Sequence, residues 1–278
     1  MNKFLTPLSS VEALVFLKEK PNLQILAGGT DLIIALKNRA VTCEYLMDIK
    51  KIPELQHVEM TNEGLEIGAA VSLSALLESG ALSGWYRAIE QSAKSVANTL
   101  LRNRATLIGN ICNASPGGDM LPSCLVANAK LKTISPDGER VIPLRAFFVG
   151  VKEHVLQPRE MVTKIVLPHT DGVSAFRKKK RIRGHDIAQV SVAASYSNEG
   201  ALLMAFGAAA PTPLLIELGT YQPADLRAQR DEIIDNALGH AAPISDVRSS
   251  KEYRLAMLKY LAGEVLDEIL AEIGACGV

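Results

Sequence analysis

The sequence predicts an α+β protein in three parts. A small α/β lobe spans residues 1–55, a larger mixed lobe spans 56–170, and a C-terminal α+β domain spans 173–278. Three observations carry that expectation. An apolar run, Leu23–Leu26, meets a Gly28-Gly29 turn and opens the amphipathic segment Leu32–Arg39, the order of strand, tight turn and helix. From Val58 the pattern changes to short runs separated by Gly- and Asn-containing turns. The polar stretch His169-Thr170-Asp171-Gly172 then separates these from a Val- and Ala-rich hairpin and two helical segments.

Taken in order, Ser9-Ser10-Val11-Glu12 has the spacing of a capping box, and Val11, Leu14, Val15 and Phe16 predict the apolar stripe of a helix ended by Pro21-Asn22. Leu23–Leu26 and Tyr45–Ile49 read as neighbouring strands. Between them Asp31 opens a helix and Lys37 and Arg39 close it, matching its dipole. Ile52-Pro53-Glu54-Leu55 reads as a turn. Val58–Thr61 and Leu65–Ala69 make a hairpin about Asn62-Glu63-Gly64, and Ser72–Leu77 is a short helix. Trp85–Leu101 reads as one longer helix with Ile89, Ala93, Val96 and Ala97 on its inner face. After a small-residue loop, Met120–Asn128 is a helix with Asp119 in the N-cap position. Leu131–Ile134, Val141–Leu144, Glu160–Leu167, Gln189–Ser197 and Ala201–Ala208 read as strands. Asp225–His240 and Ser249–Ile273 read as helices, the second with Leu255, Leu258, Ala262, Val265 and Ile269 facing inward.

Charge and composition exclude several classes. Lys+Arg and Asp+Glu both number 30, so no net field draws the chain to nucleic acid or an anionic membrane. The run Arg177–Arg183 holds six basic residues in seven, but lacks interleaved aromatics beyond Phe176, which argues against an RNA-binding reading. No apolar run reaches the roughly 18–20 residues of a membrane span. The first residues, Met1 to Pro7, lack the pattern of a signal peptide. Cys43, Cys112, Cys124 and Cys276 include no C-x-x-C pair, and His57, His154, His169, His185 and His240 are scattered. That predicts reduced thiols, with Cys112 filling space, and no metal or iron–sulfur ligand set.

Two loops remain that ordinary punctuation does not exhaust. Ala27-Gly28-Gly29-Thr30-Asp31-Leu32 would turn backbone N–H groups and a positive helix end toward an anion, although it is neither a G-x-G-x-x-G fingerprint nor a P-loop. The stretch Thr106-Leu107-Ile108-Gly109-Asn110-Ile111-Cys112-Asn113-Ala114-Ser115-Pro116-Gly117-Gly118-Asp119 suits a backbone that approaches a ligand closely. Each alone is equally well an ordinary turn. Together they predict a ligand with more than one polar station.

In this order the two loops resemble the FAD-binding subunit of molybdenum hydroxylases, the family of xanthine, aerobic carbon monoxide and nicotinate dehydrogenases. The resemblance continues through Phe176-Arg177-Lys178, Asp186-Ile187-Ala188, Ala208–Pro213 and Ile244–Arg248, and so covers nearly the whole chain. It implies a two-lobed FAD-binding domain, made of the small α/β lobe and the larger mixed lobe, followed by a C-terminal α+β domain. It implies non-covalent FAD, with Ala27, Gly28, Gly29, Thr30, Asp31 and Leu32 around the pyrophosphate. Thr106, Gly109 and Asn110 would hold the flavin side, and Ser115 belongs to the same motif. Asp119 would accept from a ribose or ribityl hydroxyl, the backbone of Val162 would lie against the cofactor, and Lys178 would stand near the isoalloxazine. The implied protein is an oxidoreductase subunit in a cytoplasmic dimer of heterotrimers. Electrons would come from a large molybdopterin subunit through the [2Fe-2S] clusters of a small one, cross FAD here, and leave to NAD+ or another acceptor. A purine such as xanthine is the expected substrate of the complex, with carbon monoxide or nicotinate-type heterocycles as alternatives. Ile108 departs from the family's Thr-x-Gly-Gly-Asn, replacing its first glycine. The rival from another class is a nucleotide-binding module with no redox role.

Overall fold

The structure, a computed structural model, describes residues 3–182, 184 and 186–276; Arg183 of the basic run and His185 lie outside them. The chain opens with β1 (Lys3–Leu5), α1 (Ser10–Glu19), β2 (Leu23–Leu26), α2 (Leu32–Lys37) and β3 (Tyr45–Asp48). The three strands pair in parallel in the order β1-β3-β2, with the two helices as crossovers. The expected cap forms: Ser9 Oγ accepts the Glu12 N–H at 3.2 Å, and the Glu12 carboxylate accepts the Leu8 N–H at 2.8 Å. The expected stripe forms in part, Leu14 and Phe16 packing half-buried against the core. α1 buries Ala13 and Leu17, while Val11 and Val15 stay 71% and 44% exposed. The helix is rotated so that its small residue meets the core, where a larger one would hold the helix off.

The middle of the chain supplies β4 (Val58–Thr61), β5 (Gly64–Gly68), α3 (Leu73–Glu78), α4 (Arg87–Ser95), α5 (Thr99–Arg102), α6 (Leu107–Cys112) and α7 (Met120–Val126). After them come β6 (Lys130–Ser135), β7 (Gly138–Pro143), the small ribbon β8 (Phe148–Gly150) with β9 (Glu153–His154), and β10 (Met161–Leu167). An antiparallel sheet has the order β4-β5-β10-β6-β7, so the last strand made lies in the middle. The single helix expected over Trp85–Leu101 is corrected to α4 and α5. Ala97 breaks it at φ 42°, and Asn98 then caps α5 by accepting the Leu101 N–H at 2.9 Å. Arg102 returns to the freed Val96 carbonyl at 3.0 Å.

The C-terminal part is a meander of β11 (Gly172–Lys179), β12 (Val190–Ser197), β13 (Ala201–Gly207) and β14 (Leu214–Thr220), then α8 (Pro223–Ala228), α9 (Arg230–Leu238) and α10 (Lys251–Cys276). The expected helix Asp225–His240 is two helices meeting at Gln229, and β14 was not foreseen. Leu258, Ala262, Val265 and Ile269 of α10 are buried as their spacing predicts, and Leu255 is half-buried. The sheet is covered on both faces, which is why β12, made of Val, Ala and Ser apart from Tyr196, is buried at every position rather than alternately. One hydrophobic cluster runs through the first two lobes and takes Phe176, Ala193 and Ala205 from this sheet. The other fills the space between its opposite face and α9 and α10. No helix among the described residues is long and apolar enough to cross a membrane.

Candidate functional site

The first glycine loop leads from β2 into α2. Gly29 has φ +77°, a conformation that costs glycine little and a β-branched residue much. A Cβ on Gly28 would overlap the Arg104 carbonyl and stand 2.9 Å from Ala105 Cα, so the loop lies backbone against backbone on the segment entering the second loop. The backbone N–H groups of residues 28–32 have no protein acceptor among the described residues, which leaves a run of donors open to an anion. Lys50 ties the loop to β3 by donating to the Ala27 carbonyl at 3.1 Å and to Asp48 Oδ1 at 2.6 Å. Thr30 and Leu32 are half-buried, and Asp31 is exposed, starting α2 without a side-chain cap.

The second loop is, in its first half, the helix α6. Thr106 Oγ accepts the Gly109 N–H at 2.9 Å and caps it. A Cβ on Gly109 would stand 2.7 Å from that oxygen, so glycine here lets the cap close. Ile108 sits inside α6, buried, as an ordinary helical side chain. Asp119 stands at the N-cap position of α7 as expected, but with helical backbone angles and no capping bond from its side chain; Asn110 Oδ1 accepts the Met120 N–H instead, at 3.2 Å. The Asp119 carboxylate turns instead to Lys178, Oδ2 to Nζ 2.6 Å. The Lys178 side chain is 3% exposed and donates as well to the Ser95 carbonyl at 3.4 Å. Asp119 Oδ1 is buried without a partner among the described residues. Burial pushes the Asp119 carboxyl up to about 6, against the opposing pull of the Lys178 ammonium.

The rest of this loop is sewn into its surroundings. Pro116 O accepts from Ala208 N–H at 2.7 Å, Ala114 O from Lys152 N–H at 3.0 Å, and Ser115 O from Gly118 N–H at 2.8 Å. The structure therefore brings Gly28 onto Arg104 and Ala105, and Asp119 onto Lys178 across 59 positions. Val162 is buried in β10 beside a slip in its register with β6, and its backbone shares no hydrogen bond with either loop among the described residues. Sequence reading missed Ser191. It lies opposite Lys178 in the β11–β12 ladder, and its buried Oγ has no partner among the described residues; only strand register could have marked it. Desolvation pushes the Cys112 thiol up to about 12, so it stays protonated at neutral pH. No cluster of three or more His, Cys, Asp or Glu among the described residues could hold a metal. The arrangement offers donors for an anion, a buried cation and an acceptor for a hydroxyl.

Comparison with known proteins agrees along the whole chain. The family model for the FAD binding domain in molybdopterin dehydrogenase matches residues 1–170. The xanthine dehydrogenase FAD-binding subunit of Escherichia coli O157:H7 is 32% identical over 274 residues, covering 95% of this chain and 94% of that protein. The carbon monoxide dehydrogenase medium chain of Hydrogenophaga pseudoflava is 28% identical, covering 89% and 88%. A solved structure of carbon monoxide dehydrogenase from the same organism superposes with TM-score 0.87 at 25% identity, over 97% of each chain. On the family match and the first of these relatives, the chain belongs to the FAD-binding domains of the molybdopterin dehydrogenases.

Proposed function

We propose that this chain is the FAD-binding subunit of a xanthine dehydrogenase-type molybdenum hydroxylase. In this reading electrons pass from the [2Fe-2S] clusters of a small partner subunit through FAD to NAD+ or another acceptor, and a large molybdopterin subunit oxidises a purine. The similarity to the Escherichia coli subunit supports the xanthine-type assignment. The assembly is a cytoplasmic dimer of heterotrimers, and the chain divides at residues 55 and 170–173.

The observation that carries the cofactor assignment is the buried Lys178–Asp119 pair with one carboxylate oxygen left over. An orphaned buried acceptor costs stability unless a ligand hydroxyl fills it, so the residues fit a polar, hydroxyl-rich cofactor. Bound FAD supplies the reversible one- and two-electron chemistry. The open N–H groups of Gly28 to Leu32, with Ala27 and the Thr30 hydroxyl beside them, bind the pyrophosphate. Thr106, Gly109, Asn110 and Ser115 shape the flavin side, and Val162 lends backbone. Lys178 would stand near the isoalloxazine, where its buried ammonium, partly offset by Asp119, would favour negative charge on the flavin.

The test is reconstitution of the full chain with FAD. One FAD, released on denaturation, is expected, with no hydroxylation of any purine by the chain alone. Adding the two partner subunits should restore xanthine-dependent bleaching of the flavin band. A colourless chain after reconstitution would sink the reading in favour of a non-redox module. The carbon monoxide dehydrogenase medium chain is a second reading, favoured by the TM-score of 0.87 over 97% of both chains. Bleaching by carbon monoxide rather than xanthine decides for it.

A further inference from the structure

Strand β11 is an edge of its sheet, and α4 closes that edge in place of another strand. The Phe176 N–H donates to Gln91 Oε1 at 2.6 Å. Two residues earlier, Ser174 Oγ accepts the Ala88 N–H at 3.0 Å and donates to the Trp85 carbonyl at 2.6 Å. The other end of the Gln91 amide donates to Glu268 Oε1 of α10 at 2.6 Å. Glu268 also pairs with Arg87 of α4 at 3.0 Å and with Arg177 of β11 at 2.5 Å, and Arg87 reaches Glu272. Gln91 thus stands where the strand edge, α4 and α10 meet.

What lies next along both elements gives this junction a use. Ser95 is four residues beyond Gln91 on α4, and Lys178 is two residues beyond Phe176 on β11. Four residues of helix rise about 6 Å and two of strand about 6.6 Å, so the Gln91–Phe176 and Ser95–Lys178 contacts are successive rungs between the same two elements. We infer that Gln91, held by Glu268, is a positioning residue for Lys178, fixing the register of α4 on β11 that keeps the ammonium beside Asp119 and so setting the affinity for the flavin cofactor. The role needs a side chain that accepts from a backbone N–H and donates to a carboxylate at once, which an amide does and a hydrocarbon or carboxylate does not. The inference rests on the proposed placing of Lys178 at the flavin.

The experiment titrates FAD into the full chain and into Gln91→Leu, Lys178→Met, the double variant and Asp267→Ala. Asp267 is the control: it anchors the same helix to Arg230 at 2.6 and 2.7 Å, away from β11. Gln91→Leu should raise the FAD dissociation constant about tenfold and lower the midpoint potential of the bound flavin, and the double variant should be no worse than Lys178→Met alone. Asp267→Ala should lower the melting temperature and leave both flavin measurements unchanged. If Gln91→Leu leaves the flavin unaffected, or adds in full to Lys178→Met, the inference is overturned while the functional reading stands, because Lys178→Met still weakens FAD. If Lys178→Met has no effect, the reading of the site fails and takes the inference with it. Should Gln91→Leu not fold, Glu268→Gln removes the charge that holds Arg177 and is judged in the same cycle by the same outcomes.

Discussion

Gly28 has no room for a side chain, because what a Cβ would strike is the backbone at Arg104 and Ala105 rather than a movable rotamer. Gly28→Ala should therefore cost roughly 1–3 kcal/mol in urea unfolding by pushing the two loops apart, and the purified variant should lose FAD. At Asp119 the prediction is one of sign. Its folded carboxyl sits near 6 against an ordinary 3.8, so the folded chain keeps a proton that the unfolded chain has lost. That contribution weakens the fold as pH rises from about 4 to about 6 and is constant above. Asp119→Asn, which does not titrate, should gain stability relative to the unsubstituted FAD-free chain across that window. Parallel urea midpoints for the two proteins between pH 4 and 7 would rule the buried carboxyl out. Neither partner of this pair was legible as a pair in the sequence. Asp119 looked like a cap and Lys178 like one of six charges in a run, and only the fold, which brings the end of β11 to the residue preceding α7, joins them.

At the level of elements, Asn110 serves α7 from the end of a different helix. Asn110→Ala should lower the stability of the FAD-free protein by about 1 kcal/mol, the cost of losing a cap. A melt unchanged without FAD, with weaker FAD binding, would instead assign Asn110 to the cofactor alone. Strands and hairpins such as β4–β5, β6–β7 and β12–β13 were legible because their turns and apolar runs are local signals. The break at Ala97 was not, because its positive φ is held by Asn98 and by Arg102 reaching back to Val96, which is packing rather than propensity. The same cause hid α6: a glycine-rich string reads as loop until the Thr106 cap makes a turn of helix of it. Strand β1 is three residues long and pairs with a strand 42 positions away, below what any local pattern reveals.

For the whole molecule, the stretch that matches the family model is not self-sufficient. A fragment of residues 1–170 would lack Phe176, Ala193 and Ala205 from the shared hydrophobic cluster, the bond from Ala208 to Pro116, and Lys178 itself. Such a fragment should fail to retain FAD through gel filtration, whereas the full chain retains it; a yellow fragment would show that the C-terminal part is dispensable for binding. The central sheet has a consequence in time. β5 and β6 leave the ribosome long before β10, the strand that joins them. At roughly 5–20 residues per second, the nascent chain trails two open strand edges for several seconds. A ribosome stalled ahead of residue 161 would present them to whatever edge drifts past, which makes the half-made chain a natural client for a holding chaperone and its completion, rather than its flavin, the first safeguard against aggregation.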